Sequence, residues 1–201
     1  MVTPKDRELY MRDVTLDAIL SNVNYAFIDG SYNSAEKVYG AGGVLRYFDP
    51  MDNYEEHMVT FSVNGRDPEL ADMRNISGEL LGAKSAIHLA KSQHLDNLFI
   101  LHDYSGIRHF ADADWKSDNK FVNEYAQFVK EARKKMAIYF IQVAGHVGID
   151  GNEFADYLAK RAVGLTDGMD YEKVMDKLGM DNNGKEIIDY PWYDPDIEFQ
   201  Y

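Results

Sequence analysis

The sequence predicts an α/β fold, a five-stranded mixed sheet in the order β-β-β-α-β-α-β-α flanked by helices. Three observations predict it. Three alternating, strand-like segments follow one another closely in the first third of the chain. Two short, continuously apolar runs follow later, as in strands buried on both faces. Segments with apolar residues at helical spacing separate and follow those runs.

The elements can be taken in order. Residues 1–22 form a charged lead-in. Tyr25-Ala26-Phe27-Ile28-Asp29 places large side chains on alternate positions and reads as a strand, and Gly30-Ser31-Tyr32-Asn33-Ser34 is turn chemistry. Tyr39 to Phe48 is a second strand, with Gly40, Gly42 and Gly43 allowing tight packing or a bulge. His57 to Asn64 alternates as a third. Ser77 is the expected N-cap of a helix from Glu79 to about Ser92, with Leu80, Ala83, Ile87 and Ala90 on one face. Asn97 to Leu101 is a buried strand. A helical region follows Ser105, and a longer helix runs from about Asn119 to Lys135. Ile138 to Val143 is the fifth strand. Gly151 to Val163 is the last helix, with Ala155, Leu158, Ala159 and Ala162 inward. The expected organisation is a lead-in (1–22), a catalytic domain (23–164) and an acidic, aromatic extension (165–201).

Composition limits the function classes. The chain has 201 residues and no cysteine, which excludes disulfides and thiolate metal sites. No stretch approaches the roughly 18 apolar residues of a membrane span, and the N-terminus lacks a signal-peptide core, so a cytoplasmic, monomeric protein is expected. The net charge is −13, and Leu165 to Tyr201 alone carries ten acids and three bases. That balance is unusual for a protein that meets phosphate backbones.

The chemistry-bearing residues are carboxylates. Asp29 and Asp103 each end an apolar strand, Glu79 stands in a first helical turn, and Asp156 lies early in the last helix. Sites in open α/β sheets form beyond the carboxyl ends of strands, and a helix N-terminus favours a carboxylate. Taken singly, an Asp at a strand end is more often a turn former, and a Glu in a first turn is ordinarily solvated. Taken together, they suit an all-oxygen site for Mg²⁺ or Mn²⁺, because a cation removes their mutual repulsion. Two such ions about 4 Å apart can activate water and stabilise a leaving oxygen at phosphorus.

Four blocks, in order, resemble type 1 ribonuclease H. They are Phe27-Ile28-Asp29-Gly30-Ser31 with the Tyr39–Tyr47 strand, Asn75-Ile76-Ser77-Gly78-Glu79-Leu80, Leu98-Phe99-Ile100-Leu101-His102-Asp103-Tyr104, and Val143-Ala144-Gly145-His146-Val147-Gly148 with Gly151-Asn152-Glu153-Phe154-Ala155-Asp156. The resemblance implies a ribonuclease H-like fold and two-metal hydrolysis of the RNA strand of RNA–DNA hybrids. It implies that Asp29, Glu79, Asp103 and Asp156 bind Mg²⁺ (two ions, with Mn²⁺ as an alternative) and that His146 assists turnover or product release. The candidate substrate contacts are Gly30, Ser31, Asn33, Arg46, Asn75 and Ser77.

The chain departs from the family in two places. Ser105 to Ser117 is short and partly acidic where well-known members carry a basic, tryptophan-rich protrusion, so the chain looks like the bacterial subgroup without one. Ile76 replaces the second of the family's paired asparagines. The alternatives are a non-catalytic hybrid- or RNA-binding module of the same fold, and another nuclease of the superfamily. The acidic tail is expected to pack its aromatics on the domain, with mimicry of nucleic acid as the other reading.

Overall fold

The computed structural model describes residues 20, 22–143, 150–166 and 187–190, with side chains left out at 150 and 187–190. His146 and most of the acidic tail lie outside the described residues.

Three antiparallel strands come first: β1 (Tyr25–Asn33), β2 (Val38–Asp49) and β3 (Glu55–Gly65). After them come α1 (Pro68–Ala71), α2 (Asn75–Ser92), β4 (Asn97–His102), α3 (Gly106–Ala111), α4 (Lys120–Ala132), β5 (Ala137–Gln142) and α5 (Asp150–Ala162). β4 pairs parallel with β1, and β5 parallel with β4. These are the five strands read from the sequence, in a mixed sheet.

One strand is added. β6 (Ile187–Tyr190), from the acidic extension, pairs parallel with β3, so the sheet order is β5-β4-β1-β2-β3-β6. The sheet therefore continues past residue 164, where the domain was expected to end. Two adjacent isoleucines in a charged tail are too short a run to read as a strand unaided.

A second difference concerns the start of the Glu79 helix. Ser77 is inside α2, not its cap. The flanking residue is Arg74, at φ 55°, and among the described residues no side chain caps the helix. The amides of Ile76 and Ser77 donate to the carbonyls of Met73 and Arg74, so the first turn is satisfied by backbone. Ser77 Oγ donates instead to the carbonyl of Leu70, at the end of α1. The signature overlooked was Asp67-Pro68: the Asp67 side chain accepts from Glu69 and Leu70 amides, and proline occupies the first turn of α1.

The sheet has a core on each face. Leu80, Ala83, Ile87 and Ala90 of α2 are all buried against Ile28, Ala41 and Ile100. On the other face Phe154, Ala155 and Leu158 of α5 pack on Phe27, Val44 and Leu101. Both helices lie close to the strands because glycines face them. A Cβ on Gly42 would stand 2.2 Å from the Ala159 nitrogen of α5. A Cβ on Gly78 would stand 2.3 Å from the Gly40 carbonyl oxygen and 2.9 Å from Gly30 Cα. α2 thus meets β1 and β2 backbone to backbone, which fixes its height above the sheet.

Candidate metal centre

β1 and β4 pair from Tyr25↔Phe99 to Phe27↔Leu101, and among the described residues their ladder ends there. Asp29 and Asp103 each stand two residues past that last pair. Strand alternation puts Asp29 on the face of Phe27, toward α5, while Glu79 comes from α2 on the opposite face. The carboxylates therefore meet where the two strands part, reached from both sides of the sheet.

Asp29, Glu79 and Asp103 each offer an oxygen within 4.8 Å of the others. Asp29 and Glu79 are buried, and Asp103 is half-buried. Burial, then the charges of Asp103 and Asp156, push the Asp29 carboxyl up to about 7. Burial, then Asp29 and Asp103, hold Glu79 well above the usual carboxylate range. The interaction between the two side chains lowers Asp29 and raises Glu79, opposing the burial effect at one and adding to it at the other. The Gly30 amide donates to Asp29 Oδ1 at 2.7 Å. Glu79 Oε2 is buried with no hydrogen-bond partner among the described residues. Clustered, buried acids that raise one another's pKa, with one oxygen unsatisfied, fit a divalent cation with oxygen ligands.

The fourth carboxylate is oriented differently. Asp156, in the second turn of α5, is outside this trio and bonds Lys160 Nζ at 2.6 Å. Its charge nonetheless reaches Asp29. Lys160 was overlooked in the sequence, although an acid followed four residues later by a lysine on one helix face is a readable pair.

The six candidate substrate contacts divide. Gly30 and Ser31 adjoin Asp29 on β1, and Asn75 is exposed at the start of α2, with its carbonyl over Gly30. Ser77 is buried on Leu70. Asn33 is spent within the fold: its Nδ2 donates to the Val163 carbonyl and its Oδ1 accepts from Ala35 and Glu36 amides. Arg46 pairs with Glu56 at 3.5 Å and stands four residues along β2 from Gly42, the partner of Asp29. That is about 13 Å away along the strand.

Sequence reasoning also passed over the turn that carries Asp103. His102 is almost fully buried, and burial pushes its imidazole down to about 4. Its Nδ1 lies 2.9 Å from the Tyr104 carbonyl, and Gln142 Nε2 donates to the Asp103 carbonyl at 3.1 Å.

Residues 22–164 match the family model for RNase H. No curated protein matches the chain. Among solved structures, RNase H1 from the halophilic archaeon Halobacterium salinarum is similar to this chain with a TM-score of 0.50 and 19% identity. The match covers 70% of this chain and 97% of that one. The N-terminal RNase H domain of a Mycobacterium tuberculosis protein, solved as a maltose-binding-protein fusion, matches at 0.49 and 16%, covering 69% of this chain and 98% of that domain. At these identities the structural likeness concerns the fold, and the family model, which spans well over half of the sequence, gives the assignment: this chain belongs to the RNase H family.

Proposed function

We propose that the protein hydrolyses the RNA strand of RNA–DNA hybrids, using two divalent ions held by Asp29, Glu79 and Asp103, with Asp156 contributing. The observation that carries this is the meeting of three carboxylates within 4.8 Å at the parting of β1 and β4. A binding module gains nothing from massed negative charge facing phosphates.

Bound Mg²⁺ or Mn²⁺ supplies charge neutralisation at the phosphoryl group and a water acidic enough to attack it near neutral pH. The protein does the rest. Asp29 presents its carboxylate from within β1, and Asp103 presents its own from the turn that follows β4. Glu79, held well above the usual carboxylate range by burial and its acidic neighbours, would ligate the ion as a carboxylate from the α2 side. Lys160 pairs with Asp156, which would have to leave that pairing to ligate an ion. Gly30, Ser31 and Asn75 form the rim nearest the carboxylates and are the substrate contacts retained here. Hybrid recognition then rests on shape and on RNA 2′-hydroxyls in a wide minor groove, with weak sequence preference. His146 is assigned the product-release role by family resemblance.

The test uses labelled RNA–DNA hybrid, double-stranded DNA and double-stranded RNA, each with Mg²⁺, Mn²⁺ or EDTA. The RNA of the hybrid is expected to be cut preferentially, with no cutting in EDTA. Asp103→Asn is expected to lose at least about a hundredfold in rate, equivalent to roughly 2.7 kcal/mol of barrier. Hybrid that is bound but never cut would instead identify a non-catalytic module.

A further inference from the structure

The two carbonyls at and after Asp103 are each taken by a side chain that does not belong to the carboxylate set, one from the half-buried Gln142 and one from the buried His102. Gln142, the last residue of β5, donates from Nε2 to the Asp103 carbonyl at 3.1 Å. His102, the last residue of β4, is 2.9 Å through Nδ1 from the Tyr104 carbonyl, and a carbonyl only accepts, so Nδ1 carries the proton. His102 and Gln142 are register partners across the β4–β5 ladder, and the Val143 amide donates to the His102 carbonyl at 2.9 Å beside them. The His102 ring also meets the edge of Phe140, at a centroid distance of 6.1 Å. The contact from Gln142 spans 39 positions of sequence.

We propose that Gln142 and His102 are positioning residues that clamp the Asp103–Tyr104 turn and so set where the Asp103 carboxylate stands relative to Asp29 and Glu79. The chain leaves regular strand geometry at Asp103, one residue past the last β4–β5 pair, His102↔Gln142. Beside the clamp, the Ile107 amide donates to the Tyr104 carbonyl at 3.2 Å. An amide from the neighbouring strand fixes the first carbonyl, and the imidazole fixes the next. Outer hydrogen bonds of this kind commonly set metal affinity by 10–100-fold without touching the ion. The inference rests on the metal-site reading above and adds to it a pair of residues that do not touch the cation.

The experiment measures Mn²⁺ affinity by calorimetry on the full chain without nucleic acid, alongside kcat and KM on the hybrid and thermal unfolding. Gln142→Met keeps the length and loses the donor. His102→Asn keeps a donor near the Nδ1 position, and His102→Leu removes it. Gln142→Met and His102→Leu are expected to weaken Mn²⁺ binding by roughly tenfold or more and to lower kcat while KM for the hybrid stays within about twofold. His102→Asn is expected to recover most of the affinity. Gln142→Met or His102→Leu that merely lowers the melting temperature, with Mn²⁺ affinity of the folded protein unchanged, overturns the clamp. So does equal weakening by His102→Asn and His102→Leu. Wild-type protein that binds no Mn²⁺ sinks the metal-site reading and the clamp with it, whereas a binding wild type with an equally tight Gln142→Met sinks the clamp alone. Should Gln142→Met fail to fold, the two His102 variants decide the matter.

Discussion

Replacing Asp29 by asparagine should make the metal-free protein more stable above neutral pH while abolishing activity. In the folded chain, burial and then the charges of Asp103 and Asp156 push the Asp29 carboxyl from 3.8 to about 7. An acid whose pKa is raised by folding holds its proton more tightly in the folded state. Its effect on stability is absent below about pH 3.8, grows as pH rises through the interval, and is complete above about pH 7. A gap of about three pH units at 1.36 kcal/mol each makes the ionised side chain cost about 4 kcal/mol at pH 8. Proton uptake by the neighbouring acids offsets part of that cost, so it is an upper figure. Asparagine keeps an oxygen to accept from the Gly30 amide and carries no charge. For a domain of this size, 4 kcal/mol corresponds to roughly 10 °C in melting temperature. The assay is thermal unfolding by circular dichroism in EDTA from pH 5 to pH 9. The advantage of Asp29→Asn over wild type should widen from pH 5 to pH 8 and shrink when Mg²⁺ is added, because Mg²⁺ stabilises the wild type more. If Asp29→Asn melts at or below wild type in EDTA at pH 8, burial and the neighbouring acids do not disfavour the Asp29 charge as described.

Other perturbations test other parts of the molecule. Gly78→Ala puts a methyl 2.3 Å from the Gly40 carbonyl and lifts α2 off the sheet, which should cost at least about 1–3 kcal/mol in urea unfolding and lower kcat by displacing Glu79. An alanine variant as stable and active as wild type would show that the helix height is adjustable. Asp112 bonds Arg133 at 2.6 Å and faces Arg108 at 3.7 Å from a side chain only 5% exposed. Asp112→Ala is therefore expected to cost about 3–5 kcal/mol, read by the same unfolding titration, and a loss below 1 kcal/mol would contradict it. Ending the chain after residue 186 removes β6 and opens the β3 edge from Thr60 to Val63. Concentration-dependent self-association in light scattering is expected, and a truncated chain that behaves like the full one at every concentration would refute this.

What the sequence disclosed depended on range. Apolar periodicity found α2 and both cores, because Leu80, Ala83, Ile87 and Ala90 repeat at the spacing that burial requires. Asp29 and Asp103 were legible as acids ending apolar strands, and the sheet does bring them together with Glu79. The Ser77 expectation failed because α1, a single turn too short for periodicity to reveal, supplied both the chain direction and a competing acceptor. Asn33 looked like a free polar residue beside the site, and its commitment to Val163, 130 positions away, has no local signal. The same holds for Gln142, whose role depends on a carbonyl 39 positions earlier. Asp156 reads as a member of the acidic set by order in the chain, yet its nearest partner is a lysine one turn along its own helix.

The late position of β6 has a consequence during synthesis. β3 ends at Gly65, while the strand that covers its outer edge begins at Ile187, about 120 residues later. At roughly 5–20 residues per second, the nascent chain carries an unpaired edge for on the order of ten seconds. The central stretch of that edge, Val59-Thr60-Phe61-Ser62-Val63, is rich in β-branched and aromatic residues, with Glu55 and Glu56 at one end. Those two charges are the local guard against pairing with neighbouring chains on the same message, and their worth is greatest before the protein is complete.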